Sequence, residues 1–254
     1  MSAPLLEVRD LRRSFGGVHA VDGISFAVES GTISGLIGPN GAGKSTALGM
    51  IAGAIKPSGG SIAFDGHDVT GSSPMHLGRK GLIRTFQISS EFQRLTVLEN
   101  LLVGAPSHTG ETLVSSLVLG KRSWRAQELE LVERARELMA RFEMLEKEEE
   151  YAGNLSGGQK RLLEIMRSLM AEPKLLLLDE PMAGVNPTLA RRIEGHLQDL
   201  SDAGLTMLMV EHELGVVDRL CEHVIVMAQG KVISEGTMET VRRNQEVLDA
   251  YLVG

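Results

Sequence analysis

The sequence predicts an α/β fold with a parallel sheet at its core, an antiparallel β segment at its start and a helical subdomain. Strand patterns alternate with helix patterns, an order in which helices cover the faces of a parallel sheet. Leu175–Leu178 and Thr206–Val210 are apolar almost throughout, as strands buried on both faces are. A glycine-rich stretch, 38–43, separates another short apolar run from a helix pattern.

The antiparallel segment is predicted from the first thirty residues. Leu5–Leu11 and Gly23–Val28 alternate apolar with polar residues, which is typical of half-buried strands. Gly16-Gly17 interrupts the chain between them, and Ser61–Asp65 is a further strand candidate. We therefore expect antiparallel pairing near the start of the chain.

The helical subdomain is predicted from residues Ala126 to Ala171. Between Ala126 and Leu145 the apolar residues recur at helical spacing and predict one buried face. A second helix pattern ends before Pro173. The preceding stretch, Pro106–Ser123, is rich in Ser, Gly and Thr and is interpreted as a mobile surface insertion. The residues of the predicted buried face are Leu129, Val132, Ala135, Leu138, Met139, Phe142 and Leu145.

Composition favours a soluble protein of a reducing compartment. The net charge of −7 gives no support to nucleic-acid binding. The one cysteine, Cys221, excludes an intrachain disulfide, so the cytoplasm is expected. Charged residues interrupt the first ten positions, and no window resembles a membrane span. Any membrane role is therefore expected to need a partner.

A phosphate-binding loop is predicted between Thr32–Ile37 and the helix pattern Lys44–Ala52. Residues Gly38 to Ser45 match G-x-x-x-x-G-K-[ST] in the strand-to-helix context that the pattern requires. Backbone N–H groups of such a loop turn toward phosphate oxygens, and the helix dipole adds to their attraction. Lys44 is expected to reach the β and γ phosphates, and Ser45 to bind Mg²⁺. The fold class is thus a P-loop NTPase with a RecA-like core sheet.

Three polar residues follow the two buried strands. Asp179 and Glu180 end the leucine run, where open α/β sheets hold their ligands. Asp179 is the candidate for holding Mg²⁺, and Glu180 is the candidate base for the attacking water. Glu180 could instead cap the sheet edge. His212 follows the other strand, where it could reach the γ-phosphate or have a structural role.

A second anion-binding helix start is predicted at Leu155–Gln159. Ser156 and Gln159 have the spacing of a capping box. Gly157 and Gly158 allow close backbone approach to the positively polarised helix start. The chain therefore has two predicted phosphate-binding helix starts.

These four motifs, in this order, resemble the ATP-binding subunits of ABC transporters. The corresponding family motifs are Walker A (Gly38–Ser45), LSGGQ (Leu155–Gln159), Walker B (Leu175–Glu180) and the histidine His212. The resemblance implies a head-to-tail dimer in which each ATP lies between the P-loop of one subunit and the LSGGQ of the other. The second ATPase subunit is either another copy or a similar chain.

The resemblance also assigns individual residues. Phe15 would stack on adenine, although a core position is the alternative. Gln87 would sense the γ-phosphate and Mg²⁺, while Ser156 and Gly158 would contact the γ-phosphate across the dimer. Asn186 stands where most of the superfamily has aspartate. The implied ATP-binding set is Phe15, Gly38, Asn40, Gly41, Ala42, Gly43, Lys44, Ser45, Thr46, Ser156 and Gly158, with Glu180, His212 and Gln87 catalytic and Ser45, Gln87 and Asp179 on the metal.

Finer segments resemble the ATPases of branched-chain amino acid importers. They are Arg84–Gln87, Leu95–Asn100, Ala183–Pro187 and Val247–Leu252. Importers of amides or urea and the lipopolysaccharide-export ATPases share parts of this pattern. The resemblance implies transmembrane permease subunits that dock near 88–99, an extracytoplasmic substrate-binding protein, and a peripheral location on the inner face of the cell membrane.

Two other functional classes fit less well. A non-transport ABC ATPase usually has two cassettes or a long coiled coil, and a small-molecule kinase or GTPase leaves Leu155–Gln159 without a role. We therefore expect one ABC ATPase domain over 1–254. Its parts would be 1–86 with the antiparallel strands and P-loop, 87–171 as helical subdomain with the 106–123 insertion, and 172–254 with the rest of the core.

Overall fold

The computed structural model describes residues 3–85, 92–106 and 121–252, and ten strands lie within them. Four strands form an antiparallel sheet in the order β2-β1-β4-β5. This confirms the predicted antiparallel opening, whose first two strands extend to the turn at Gly16-Gly17. The strands of this sheet are β1 (Leu6–Phe15), β2 (Val18–Val28), β4 (Gly59–Phe64) and β5 (His67–Asp68).

The other six strands form the sheet that carries the site. They are β3 (Ile33–Ile37), β6 (Leu82–Arg84), β7 (Leu175–Asp179), β8 (Thr206–Val210), β9 (His223–Ala228) and β10 (Lys231–Gly236). The order is β10-β9-β3-β8-β7-β6, with β10 antiparallel to β9 and the other pairs parallel. Parallel pairing brings the carboxyl ends of β3, β8 and β7 to one edge of the sheet. Ligands bind at this edge in open α/β sheets.

Nine α-helices lie in the described residues, together with 3₁₀ turns at Phe92–Arg94, Leu145–Lys147 and Ala152–Asn154. The helices are α1 (Lys44–Ile51), α2 (Pro74–Lys80), α3 (Val97–Gly104), α4 (Lys121–Arg141), α5 (Gly157–Leu169), α6 (Pro187–Asp202), α7 (Leu214–Leu220), α8 (Met238–Arg242) and α9 (Gln245–Leu252).

The central strands are buried as their composition predicts. Every residue of β3 and of β8 is buried, and the four leucines of β7 have no exposed surface. Full burial on both faces is the arrangement expected of parallel strands covered by helices. The residues that follow these strands are therefore attached to a closely packed part of the sheet.

The amphipathic prediction for Ala126–Leu145 is correct for only part of the predicted buried face. Ala135, Met139 and Phe142 are completely buried, whereas the Leu129 and Leu145 side chains are 63% and 44% exposed. The predicted insertion 106–123 extends too far, because its last residues belong to α4, which begins at Lys121. Residues 107–120 of that insertion lie outside the described residues.

Two compact units divide the chain. One consists of residues 1–84, 174–183 and 190–254, and the other of 85–173 and 184–189. The first contains both sheets, and the second contains α3, α4 and α5. The predicted parts follow each other along the chain, whereas these units are discontinuous. The segment 184–189 groups with the helical unit although it follows β7 in sequence.

The described residues of the chain include no helix that combines the length and the apolar composition needed to cross a bilayer.

Candidate functional site

The glycine-rich loop between β3 and α1 is closely packed against its neighbours. Gly38 and Gly43 have φ angles of +146° and +102°, values that glycine adopts readily. A Cβ added to Gly38 would lie 2.0 Å from the carbonyl oxygen of Met227, and one on Gly43 would lie 2.3 Å from that of Ala20. Both contacts are with backbone, so glycine is required at these two positions.

Lys44 is the first residue of α1, and its side chain points back into the loop. Its side chain is buried, and Nζ donates hydrogen bonds to the carbonyl oxygens of Gly38 at 2.7 Å and Pro39 at 3.0 Å. Burial lowers the pKa of Lys44, and the negative charge of Glu180 partly opposes that shift. The ammonium group is thus held at the helix start, where it can meet phosphate oxygens.

A cavity of about 260 Å³ lies over this loop. It brings together most of the predicted nucleotide-binding residues with two of the predicted catalytic residues. Gly38, Phe15 and Asp179 are not among the described residues that line it. The lining residues are Ala20, Asn40, Gly41, Ala42, Gly43, Lys44, Ser45, Thr46, Glu180 and His212.

Glu180 and His212 form a hydrogen-bonded pair at the edge of the sheet. His212 Nε2 lies 2.7 Å from Glu180 Oε1, and the two residues follow β7 and β8. Glu180 has a φ of +49°, which is uncommon outside glycine, and its N–H donates to the Val210 carbonyl at 2.9 Å. Both side chains are partly exposed and line the cavity. The pair is therefore open to a water molecule that it could orient.

Asp179, the predicted metal carboxylate, is paired with an arginine. Arg84 Nη2 donates to Asp179 Oδ2 at 2.6 Å, and both side chains are mostly buried. The two residues end the neighbouring strands β6 and β7. A carboxylate here and the Ser45 hydroxyl in the cavity are oxygen ligands of the kind that Mg²⁺ prefers. The donor types therefore fit the metal.

Phe15 lies at the end of β1, and the residue is 47% exposed. The guanidinium carbon of Arg13 lies 4.7 Å from the ring centroid, a distance typical of a cation–π contact. The alternative that Phe15 is a core residue is therefore wrong. Its contact with an adenine stays a prediction.

The second predicted helix start has the expected local geometry. The N–H of Gln159 donates to Ser156 Oγ at 3.3 Å, and the N–H of Ser156 donates to Gln159 Oε1 at 2.9 Å. These two bonds confirm the capping box at the start of α5. Gly157 is exposed, and beyond its chain neighbours and the backbone of its own helix, no heavy atom of the described residues lies within 4 Å of a Cβ added to it. The backbone of this helix start is thus accessible.

Gly158 differs from Gly157 in its packing, and the difference predicts their sensitivity to substitution. A Cβ on Gly158 would lie 2.0 Å from Leu189 Cδ2. The partly buried Leu189 side chain must turn away to admit this methyl group, so we expect Gly158→Ala to be about 1 kcal/mol less stable than Gly157→Ala. The matched control, Gly157→Ala, should cause no loss or a gain of up to about 1 kcal/mol from helix propensity. Urea unfolding without nucleotide measures both, and equal stabilities would contradict the packing argument.

Asn186, the departure from the superfamily pattern, caps a helix. Its Oδ1 accepts the N–H of Leu189 at 3.0 Å, and α6 begins at Pro187. Asparagine and aspartate are both good N-cap residues. The substitution thus retains the local capping bond.

Sequence reasoning missed Arg84 and Glu211 as site residues. Glu211 is buried and lies directly before His212, where its carboxylate accepts backbone N–H groups. The sequence feature that could have identified Glu211 is a charged residue directly after an apolar strand pattern. Arg84 lies before the predicted sensor Gln87, but its partner is 95 residues away. Gln87 itself lies outside the described residues.

A glycine-rich loop with a buried lysine at a helix start, together with the Glu180–His212 pair, defines the class of protein as a P-loop NTPase. Comparison with known proteins supports a narrower assignment. Residues 21–183 match the family described as ABC transporter, and residues 231–252 match the one described as branched-chain amino acid ATP-binding cassette transporter. The chain belongs to the ABC transporter family, and it is an ATP hydrolase of that family.

Curated relatives match over nearly their whole length. A probable branched-chain amino acid transport ATP-binding protein LivG from Archaeoglobus fulgidus is 39% identical over 98% of this chain and 95% of its own. The high-affinity branched-chain amino acid transport ATP-binding protein BraF from Pseudomonas aeruginosa is 38% identical over 99% of each chain. The high-affinity LivG of Escherichia coli is 37% identical, again over 99% of each chain.

Solved structures support the same fold. A nucleotide-free ATP-binding cassette from an ABC transporter superposes with a TM-score of 0.86 at 37% identity, covering 98% of this chain and 99% of its own. The ADP conformation of an ATP-binding cassette of an ABC transporter has a TM-score of 0.87 at 37% identity, and each chain is covered completely. The P-loop ATPase fold with its core parallel sheet is thereby confirmed.

Proposed function

We propose that this chain is the ATPase subunit of an ABC transporter that imports branched-chain amino acids, and that 1–254 acts as one ATPase domain. The observation that carries the substrate assignment is the similarity to branched-chain amino acid transport ATP-binding proteins over 98–99% of the chain. The match of residues 231–252 to the corresponding family agrees with it. The ATPase role is supported independently by the cavity over the P-loop.

The roles of the nucleotide-binding residues follow from the loop geometry. The backbone from Gly38 to Thr46 surrounds the phosphates, with Asn40, Gly41, Ala42 and Gly43 contributing N–H groups. Lys44 exchanges its two carbonyl partners for the β and γ phosphates, because charged acceptors form stronger hydrogen bonds. Phe15 stacks on adenine through its exposed face.

Hydrolysis uses the pair at the carboxyl ends of β7 and β8. Glu180 orients or deprotonates the attacking water, because its carboxylate faces the cavity beside Lys44. His212 holds Glu180 through the 2.7 Å contact and hydrogen-bonds the γ-phosphate. Gln87 acts as the nucleotide sensor. In this proposal the P-loop binds the nucleotide, and Glu180 at the edge of the sheet acts as the general base.

Mg²⁺ is the proposed metal, and it would be held by Ser45, Asp179 and Gln87. When bound, it neutralises charge on the phosphates. The Arg84 guanidinium donates a hydrogen bond to Asp179 Oδ2 at 2.6 Å. Arg84 also holds Asp179 in a defined position before the metal arrives.

Ser156 and Gly158 are proposed to complete the site of a second subunit. Gly157, beside them, exposes its backbone at the start of α5, where the helix dipole favours an anion. The subunit is thus proposed to act in a head-to-tail dimer with a copy or a similar chain. Permease subunits and an extracytoplasmic binding protein complete the transporter, which places this subunit on the inner face of the membrane.

Reconstitution tests the transport function. The chain would be purified with the permeases encoded beside its gene, inserted into liposomes, and supplied with the neighbouring binding protein and ATP. We expect ATP-dependent accumulation of leucine, isoleucine or valine. Uptake of urea or short amides without uptake of these amino acids would reassign the substrate. Lipopolysaccharide release, or no transport with any permease, would contradict import.

Phe92→Glu is expected to prevent assembly with the permeases while ATP binding stays normal. Phe92 begins a 3₁₀ turn within the predicted docking segment 88–99, and the guanidinium carbon of Arg167 lies 4.7 Å from its ring centroid. A carboxylate at this position would lie near a cation, so the fold should tolerate it. Co-purification of the permeases measures assembly, and Phe92→Tyr, which keeps an aromatic ring, is the control. Unchanged transport by Phe92→Glu would contradict docking here.

A further inference from the structure

Glu211 is a buried carboxylate that connects two segments of the site. Only 4% of its surface is exposed. Oε1 accepts the N–H of Met182 at 2.9 Å, and Oε2 accepts the N–H of His212 at 3.1 Å. Each oxygen therefore holds a different part of the backbone. Burial raises the pKa of Glu211, while these backbone N–H groups act in the opposite direction.

The two segments that Glu211 holds are those that carry Glu180 and His212. Met182 lies two residues after Glu180, and the N–H of Ala183 donates to the Glu180 carbonyl at 3.0 Å, which closes the turn between them. The other link is to the backbone of His212 itself. Glu211 thus completes a ring of contacts whose remaining member is the 2.7 Å contact between Glu180 and His212.

Glu180 needs such support because of its backbone conformation. A φ of +49° is uncommon for a residue other than glycine and persists where surrounding contacts hold it. One such contact is the hydrogen bond from its N–H to Val210. The bond from Met182 to Glu211 is a second contact, on the other side of the same turn.

We infer that Glu211 is a positioning residue for hydrolysis, which sets the geometry of Glu180 and His212 without touching the nucleotide. The inference rests on the proposed roles of those two residues. A carboxylate suits this position because both of its oxygens accept hydrogen bonds. The amide of glutamine accepts through one atom only, and its NH₂ group would face a backbone donor.

The first test is Glu211→Gln in the full chain, with Glu213→Gln as the matched control. Glu213 is exposed, and its side chain forms no capping bond with α7. We expect Glu211→Gln to reduce kcat by about 10- to 100-fold, because small misplacements of catalytic groups have effects of that order. The Kd for ATP should stay within about twofold, since no phosphate contact is removed. Wild-type kcat, or equal losses in kcat and ATP affinity, would overturn the inference.

A mutant cycle distinguishes positioning from a separate structural role. Because Glu211 is inferred to act through both Glu180 and His212, adding Glu211→Gln to a protein that already has Glu180→Gln and His212→Ala should change the residual kcat by less than about twofold. If the losses in kcat multiply, the inference is overturned.

Should Glu211→Gln fail to fold, a second variant is available, because Glu211→Asp keeps two acceptor oxygens on a shorter side chain. We expect it to fold with a urea midpoint somewhat below that of the wild type, because its hydrogen bonds are weakened, and to have a reduced kcat, whereas a wild-type kcat would count against positioning.

Failure of this inference is separable from failure of the proposed function. If Glu180→Gln stops hydrolysis while Glu211→Gln behaves as the wild type, the ATPase assignment stands and the positioning role is wrong. If Glu180→Gln still hydrolyses ATP normally, the proposed catalytic pair is itself wrong.

Discussion

Glu180→Gln is expected to slow ATP hydrolysis by about 10²–10⁴-fold and to leave ATP binding intact. The amide has nearly the shape of the carboxylate and can keep a hydrogen bond to His212, whose Nε2 lies 2.7 Å away. It has no basic oxygen to orient or deprotonate water. The phosphate-binding loop is unchanged, so nucleotide affinity should change little. A subunit that binds ATP without hydrolysing it should accumulate as an ATP-bound dimer.

Three measurements check this expectation. Phosphate release gives the hydrolysis rate, a fluorescent ATP analogue gives affinity, and light scattering with ATP gives the oligomeric state. Glu29→Gln is the matched control, because this exposed glutamate lies in the turn after β2. A Glu180→Gln protein that remains monomeric and still hydrolyses ATP would contradict both the catalytic role and the dimer.

Lys44→Ala is expected to weaken ATP binding by roughly 10- to 100-fold, the equivalent of losing a charged hydrogen bond or two. The buried ammonium group now donates to the Gly38 and Pro39 carbonyls, and these are the bonds that phosphate oxygens would replace. Hydrolysis should fall with binding, because the nucleotide is no longer retained. Calorimetric titration with ATP measures the loss.

The control for Lys44→Ala must separate binding from folding. Lys56→Ala removes an exposed lysine that lies shortly after α1 and should bind ATP normally. Urea unfolding of Lys44→Ala without nucleotide shows whether the loop is still formed. Wild-type affinity in a folded Lys44→Ala protein would exclude the proposed phosphate contact.

The predictable part of the site consists of features encoded over a few consecutive residues. The Gly38–Ser45 loop, the buried run Leu175–Leu178 and the capping box of Ser156 with Gln159 all occur as the patterns indicate. Their hydrogen bonds and burial depend on residues close in sequence, so local spacing is informative. The proposed nucleotide roles of these residues stay predictions until measured.

The wrong or missing predictions concern residues whose environment is set by distant parts of the chain. Leu129 and Leu145 fit the periodicity of a buried face but are exposed, because periodicity does not specify where the covering element ends. Arg84 lies in the segment Arg84–Gln87 but has no role assigned there, and Glu211 belongs to no local motif. Their partners, Asp179 and the N–H of Met182, lie far away along the chain.

The sequence by itself therefore determined the class of protein, the phosphate-binding loop and the order of its motifs. Only the tertiary structure decided that β3 lies between β8 and β9, and that Arg84 meets Asp179 across 95 residues. It also decided that Glu211 meets Met182 across 29 residues. The physical reason is that strand pairing and ion pairing between distant segments depend on how the whole chain packs. A local pattern of residues carries no record of that packing.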